Sequence, residues 1–193
     1  MKRTSVISIF LLVAFFASAQ QTLPGFWGLP WGTSSANIFA SMLQKGYASK
    51  SADAAGIIYE NVKFSGRDCA IAFFLNKNQL YGSSVRIYPP RNTAYETYQS
   101  LKSDLVEKYG TPTLSNEKYK PPYEKGDGHT EMAISMNYAE ISSGWRFADG
   151  NVILLLVSND DKTNNIKIEI NYAEMNTFTE MSQKKKKAEL DDL

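Results

Sequence analysis

Apolar residues recur at helical spacing in two stretches of the chain, and the first of these follows a run of hydroxyl side chains. Thr33, Ser34 or Ser35 can cap a helix, and Gly46 suits the left-handed position at which helices end. The apolar stripe between these signals consists of Ile38, Phe39, Met42 and Leu43. The pattern predicts a short amphipathic helix.

The second helical stretch has clearer end signals. Thr93 and Glu96 have the spacing of a capping box, and Gly110 followed by Pro112 is typical of a helix end. Its apolar stripe consists of Tyr95, Tyr98, Leu101, Leu105, Val106 and Tyr109. We therefore expect a second amphipathic helix between Thr93 and Gly110.

Shorter apolar patterns elsewhere predict strands. Residues 152–157 are continuously apolar, which favours a central strand, whereas residues 166–172 alternate and indicate one face in water. The predicted strands are residues 57–64, 69–75, 80–88, 132–138, 145–147, 152–157 and 166–172.

Two local details bear on how the first strands are arranged. Alternation in the first predicted strand places Ile58, Val62 and Phe64 on one face. The polar segment Asn76 to Asn78 predicts a tight hairpin between the second and third strands.

Two segments lack these periodic patterns. Residues 113–130 are polar and predict a long loop, a feature that in compact domains is usually functional or disordered. Residues 180–193 include the run Lys184 to Lys187 and hold too few apolar side chains to pack, so we expect a flexible tail or a marginal helix there.

The order of elements is helix, three strands, helix, four strands, which predicts an α+β fold with an antiparallel sheet packed by two helices. We expect one domain over residues 20–179. Its halves, residues 22–90 and 91–175, have similar element orders and are candidates for a duplicated module.

Residues 1–19 have the features of a cleavable export signal. Lys2 and Arg3 precede the apolar stretch Ile7 to Phe16, and Ala17 to Ala19 form a small-residue cleavage site. The apolar stretch is too short to span a bilayer, and no cysteine near the cleavage site offers a lipid anchor. We expect a periplasmic or secreted protein without a transmembrane segment.

Composition removes several classes of function. Of the 193 residues, 21 are Lys or Arg and 20 are Asp or Glu, so the chain lacks the positive charge that phosphate-backbone binding needs, and nucleic acid is not an expected partner. One cysteine and one histidine rule out a disulfide framework, a thiolate zinc site and a multi-histidine centre. We predict no metal and no cofactor, and we expect Cys69 to be buried.

Candidate binding residues come from rigid aromatic segments. Trp27 and Trp31 stand in a Gly/Pro-rich stretch before the first helix, and Tyr119 and Tyr123 flank two prolines in the predicted loop. Tyr and Trp contribute large contact areas to interfaces, although the tryptophans can equally close the core. His129 follows in the same loop beside acidic residues.

Two motifs resemble a recurrent pattern in uncharacterised exported bacterial proteins. They are Gly28 to Ser34 (GLPWGTS) before a helix and, after strands, Tyr98 to Pro112 (YQSLKSDLVEKYGTP). The element order is similar to that of the β-lactamase-inhibitor-protein-like fold, which the small outer-membrane assembly lipoproteins share. The resemblance implies a binding role, and the absence of a lipidated cysteine departs from the lipoprotein branch.

We therefore expect an exported, non-catalytic binding or envelope-assembly module whose partner is an unidentified protein or envelope component. No nucleophile elbow, P-loop or dinucleotide fingerprint is present, and no catalytic residue is assigned. One alternative is a small envelope hydrolase that uses His129 with neighbouring carboxylates. A second is a receptor for a small apolar ligand between the helices and the strands. The sequence does not define the oligomeric state.

Overall fold

The computed structural model describes residues 21–191. The predicted export signal in residues 1–19 lies outside the described residues, as do the last two residues of the predicted tail. Within residues 21–191, no helix has the length and apolar character needed to cross a membrane.

The fold is α+β, as the sequence predicts, and it is built on one eight-stranded antiparallel sheet. A small separate hairpin, formed by β1 (Gly25–Phe26) and β2 (Leu29–Pro30), precedes the sheet. The strands of the large sheet are β3 (Ser51–Ala52), β4 (Gly56–Phe64), β5 (Arg67–Asn76), β6 (Gln79–Ile87), β7 (Leu114–Tyr119), β8 (Ala139–Arg146), β9 (Val152–Asp160) and β10 (Asn165–Ala173).

The strand order is β3-β4-β5-β6-β10-β9-β8-β7, which is symmetrical about the pair β6 and β10. Each half of the chain contributes four strands that run outward from this central pair in reverse sequence order. Residues 152–157, predicted as a central strand, lie in β9, an interior strand next to β10. The symmetry is one of topology, and the duplication of the two halves stays a prediction.

The hairpin predicted between β5 and β6 is confirmed. Asn76 pairs with Gln79, and Lys77 and Asn78 both have positive φ values, of 50° and 63°. Two-residue turns with positive φ at both positions match the twist of antiparallel strands. The local sequence is therefore sufficient to define this connection.

The predicted face of β4 is wrong in part, because the strand contains a bulge. Tyr59 pairs with Ile71 and Val62 pairs with Cys69, so β4 has one extra residue in this interval. The extra residue reverses the alternation: Ile57 and Tyr59 are buried on the same side as Val62, whereas Ile58 is 41% exposed.

The structure contains four helices within its described residues. They are α1 (Ser35–Gln44), α2 (Ala94–Tyr109), α3 (Thr130–Ser135) and α4 (Met175–Asp191). The Ser34 hydroxyl accepts a hydrogen bond from the backbone N–H of Asn37 and caps α1. The capping box predicted for α2 is wrong, because Thr93 ends a 3-10 turn and its hydroxyl donates to the carbonyl oxygen of Pro90 instead.

The segment between α2 and β8 differs most from prediction. Residues 132–138, predicted as a strand, form α3 and the turn after it, in which Asn137 has a φ of 59°. Met132 and Met136, which gave the strand pattern, are exposed, and the neighbours Ala133 and Ile134 are buried instead. The predicted loop contains the strand β7, and the predicted short strand at 145–147 is the end of the longer β8.

The core lies between one face of the sheet and the helices. α2 and α3 contact β9 and β10, and α1 buries Ile38 and Met42 in the same core. Cys69 also faces this side and is 7% exposed, so its predicted burial is confirmed. Burial raises the pKa of its thiol to about 11, which keeps the sulfur protonated and unreactive.

The opposite face of the sheet, which we call the open face, is turned away from this core. Strand pairing places on it Ile58, Ala72, Phe74, Gly82, Ser84, Arg86, Leu114, Glu140, Ser142, Gly144, Leu154, Leu156, Lys167, Glu169, Asn171 and Ala173. Ile58, Phe74 and Leu114 are each more than a third exposed.

Candidate functional site

The aromatic entry segment folds as the β1–β2 hairpin and packs against one end of the core. Phe26 is buried, and its ring centroid lies 4.8 Å from that of Tyr172 and 5.8 Å from that of Phe73. Trp27 and Gly28 occupy the two turn positions, with φ values of 51° and 84°. The sequence pattern does not predict that the indole of Trp27 lies at the tip of a hairpin.

Trp27 is held by neighbours from two other segments, the end of α1 and the end of β4. Its ring lies 5.9 Å from that of Phe64 and 6.3 Å from that of Tyr47, and the Lys45 ammonium lies 5.2 Å from the indole centroid. An ammonium at this distance over an indole makes a cation–π contact. The indole of Trp27 is therefore half-buried and fixed in orientation.

Trp31 has a structural role. Its indole N–H donates a 2.6 Å hydrogen bond to the carbonyl oxygen of Leu23, and the side-chain amide of Asn151 donates a second bond, of 3.0 Å, to the same oxygen. The bond from Trp31 closes the entry segment on itself, and the bond from Asn151 attaches this segment to the residue that precedes β9. The predicted binding residue Trp31 is thus committed to holding the chain together.

Tyr119 belongs to a cluster centred on Glu117, a residue that sequence reasoning missed. One carboxylate oxygen of Glu117 accepts bonds from the hydroxyls of Tyr95, at 2.8 Å, and Tyr119, at 3.2 Å. The other accepts a 2.6 Å bond from the Lys125 ammonium. The Tyr119 hydroxyl also lies 3.3 Å from that of Thr130.

The charges in this cluster are stabilised by one another. Burial alone would raise the pKa of Glu117, but the hydrogen bonds from Lys125 and Tyr95 outweigh it and lower the pKa. Burial and the bond to Glu117 raise the pKa of Tyr95 to about 12. Burial also raises the pKa of Tyr119. At neutral pH the cluster holds a carboxylate between two neutral phenols and one ammonium.

Tyr123 and His129 lie beside this cluster but are not in it. The Tyr123 hydroxyl donates to the sulfur of Met136, and its ring packs edge-on to Tyr138 at 5.6 Å. The backbone N–H of His129 donates a 2.7 Å bond to Asp127. That carboxylate binds backbone N–H groups, which lower its pKa. No hydrogen bond of the imidazole to a carboxylate occurs within the described part of the chain.

The structure does not bring the predicted binding residues together. Phe26, which precedes Trp27 in the β1–β2 hairpin, contacts Tyr172, and strand pairing aligns Tyr172 with Trp145 of β8 through Ile153. Tyr119 pairs with Ala139, which is at the other end of β8. The predicted binding residues therefore lie in two separate groups.

A cleft opens where the entry segment meets the end of α2, and we call it the entry cleft. Its volume is about 350 Å³. Its lining residues include Trp27, Leu29, Lys108 and Tyr109. The ammonium of Lys108 lies 5.0 Å from the ring centroid of Tyr109. Clefts of this size suit small ligands.

One cross-strand row extends over most of the open face. Strand pairing aligns Ile58, Ala72, Ser84, Asn171, Leu154, Gly144 and Leu114, from β4 to β7. The residues at the two ends are apolar and exposed, Ile58 by 41% and Leu114 by 57%. Six strand spacings separate them, which is about 29 Å.

The charged side chains of the open face are largely paired. Glu169 accepts from Arg86 at 2.7 Å and from Lys167 at 3.2 Å. Glu140 pairs with Lys120 at 3.1 Å, where the chain leaves β7. A shallow groove of about 460 Å³ lies over β8 and β9, between Lys120 and Leu156. The open face therefore carries charged side chains of both signs.

Across residues 21–191, no group of three or more His, Cys, Asp or Glu side chains is arranged to hold a metal ion.

No family model, curated protein or solved structure matches the chain. The resemblance to the β-lactamase-inhibitor-protein-like fold consequently stays a prediction.

Proposed function

We propose that this chain is an exported, non-catalytic binding module that holds another folded protein of the cell envelope on its open face. The observation that carries the proposal is the row from Ile58 to Leu114. It exposes apolar side chains at both ends of a wide sheet surface, on the side away from the core. Contiguous exposed apolar patches rimmed by polar groups are typical of interaction sites, and Phe74, which is 38% exposed on the same face, extends the Ile58 end.

The dimensions of the row favour a protein over a small molecule. Apolar end residues about 29 Å apart are reached together only by a ligand with the footprint of a standard protein interface. Between them, Ala72, Ser84 and Gly144 have small side chains, and Asn171 and Leu154 occupy the middle positions. A partner surface can therefore approach the strands closely beside each end of the row while it contacts Ile58 and Leu114.

The charge pattern favours a protein partner over a phosphate polymer. Arg86 and Lys167 both form ion pairs with the carboxylate of Glu169. Nucleic-acid surfaces need cations that remain available to phosphates. Alternating paired charges, by contrast, select a partner by complementarity at the rim of an interface.

Affinity capture with matched variants tests the proposal. The secreted protein is used as bait in an envelope extract from the producing cell, together with Ile58→Lys and Leu114→Lys on the open face. Leu43→Lys is the control, because Leu43 is 73% exposed on the helical side. We expect one protein to be retained by the native chain and by Leu43→Lys but lost by both open-face variants, all four being equally folded by circular dichroism.

Two outcomes would contradict the proposal. Equal retention by all four baits would exclude the open face as the binding surface. Retention of a second copy of this chain, confirmed by sedimentation of the purified protein, would replace an envelope partner by self-association.

A further inference from the structure

A second ligand site is indicated on the side of the molecule away from the open face, at the entry cleft between the β1–β2 hairpin and the end of α2. It is independent of the proposed protein interface, because none of its lining residues lies on the open face. Its volume of about 350 Å³ is in the range of small-molecule sites.

The turn that carries Trp27 adopts a backbone conformation that this residue disfavours. Trp27 has a φ of 51°, a left-handed conformation that side chains other than Gly, Asn or Asp disfavour. Two-residue hairpin turns of this type require positive φ at both central positions, and the turn itself therefore accounts for this conformation. The Lys45 ammonium and the rings of Tyr47 and Phe64 contact the indole and hold its orientation.

The result is an aromatic wall that is in place before any ligand arrives. Trp27, Leu29 and Tyr109 all line the cleft. Tyr109 is fixed by an edge-on contact with Phe147 at 5.6 Å. Preorganised walls reduce the entropy lost on binding, and flat apolar groups match them in shape.

Lys108 gives the cleft its charge preference. Among the described residues that line the cleft, it is the one with a charged side chain. Its ammonium lies 5.0 Å from the Tyr109 ring centroid and has no carboxylate within 4.0 Å in the described part of the chain. One available cation beside apolar walls complements a single negative charge.

We propose that the entry cleft binds a small organic carboxylate with a flat apolar body. The carboxylate pairs with the ammonium of Lys108, and the body lies against Trp27 and Tyr109. The site involves no covalent step, and it gives the module a small-molecule ligand in addition to its protein partner.

The test uses the mature protein, residues 20–193, and two probes of similar shape. The probes are 1-naphthoate and the uncharged 1-naphthalenemethanol. Calorimetry measures affinity, and the indole N–H resonance of Trp27 reports the location. We expect 1-naphthoate to bind saturably, to shift the Trp27 resonance, and to bind more tightly than the alcohol.

Two lysine variants separate the charge effect from general electrostatics. Lys108→Met keeps the apolar stem of the side chain, and we expect it to weaken 1-naphthoate binding by roughly threefold to fivefold, as for an exposed ion pair, with little change for the alcohol. Lys118→Met, on β7, is the matched control and should leave both affinities unchanged.

Two results would overturn the site. One is a lack of saturable naphthoate binding with no movement of the Trp27 resonance. The other is equal weakening by Lys108→Met and Lys118→Met, which would show that the anion responds to net charge alone. Neither result bears on the open face, which the capture experiment tests separately.

Discussion

The hydroxyl of Tyr98 lies 2.9 Å from the hydroxyl of Ser143, and both residues are almost fully buried between α2 and β8. Each hydroxyl has the other as its partner in an otherwise apolar core. Removal of one leaves the other without a hydrogen bond in a region that water does not reach. This pair therefore couples the second helix to the sheet.

We predict that Tyr98→Phe lowers the free energy of unfolding by about 1–3 kcal/mol. Ser143→Ala should also destabilise the protein, but the double variant should lose less than the sum of the two single losses, because no unpaired hydroxyl remains. Urea denaturation of the four proteins measures the coupling. Ser83→Ala is the control: the Ser83 hydroxyl is buried without a partner in the described residues, so its removal should cost little. Strict additivity of the Tyr98 and Ser143 effects would contradict the prediction.

The Glu117 cluster predicts a specific dependence of stability on pH. The pKa of Glu117 is lowered from its ordinary value of 4.5, with Lys125 the main favourable cause. A carboxyl with a lowered folded-state pKa adds stability that is fully present above the ordinary value and is lost as the pH falls through the folded value. Lys125→Met should therefore have a lower free energy of unfolding than the native protein at about pH 6. When the pH is lowered to about 3, the free energy of unfolding of the variant should fall by less than that of the native protein.

Two further variants make this measurement specific. Glu117→Gln should show the same reduced dependence on pH as Lys125→Met in urea denaturation. Lys120→Met removes the exposed pair with Glu140, in which both side chains are more than half exposed, and should keep the native dependence. Parallel pH profiles for Lys125→Met and the native protein would show that the cluster does not stabilise the fold.

Two glycines of the sheet differ in the space around them. A Cβ added at Gly56 would meet the backbone carbonyl oxygen of Phe73 well inside van der Waals contact, whereas at Gly144 the nearest atom is the Leu114 Cβ at 3.6 Å. We expect Gly56→Ala to lower the free energy of unfolding by about 1–3 kcal/mol through displacement of the backbone. Gly144→Ala should be nearly neutral. Equal thermal midpoints for the two variants would contradict this prediction.

The sequence predicts most elements of the fold where local signals agree with the final environment. The β5–β6 hairpin follows from its turn residues, and the stripe of α2 follows from the spacing of Tyr98, Leu101 and Leu105. α3 was missed because its alternating Met132, Ile134 and Met136 match a strand pattern, while burial on the packed sheet selects Ala133 and Ile134. Tertiary packing, which a local pattern does not contain, decided that segment.

The candidate site was harder to predict for the same reason. Glu117 is surrounded by Tyr95 from α2, Tyr119 from its own strand and Lys125 from the following loop, so no sequence spacing reveals the group. The row from Ile58 to Leu114 appears only once the strand order is known. Trp31 and Tyr119 were noticed as aromatic residues, but their hydrogen bonds hold the fold, and alanine substitutions there would disturb structure before binding.

The strand order also has a consequence for how the chain assembles. Within each half, every strand of the large sheet pairs with the strand next to it in sequence. These pairings close shorter loops than the pairing between the halves, and they can therefore form early. The pairing of β6 with β10 is different: Arg86 and Glu169 meet across it although they are 83 residues apart. The pairing of β6 with β10 adds no stability until both halves have formed their own strands, because a long loop must close first. We therefore expect the docking of two preformed halves along β6 and β10 to limit the folding rate.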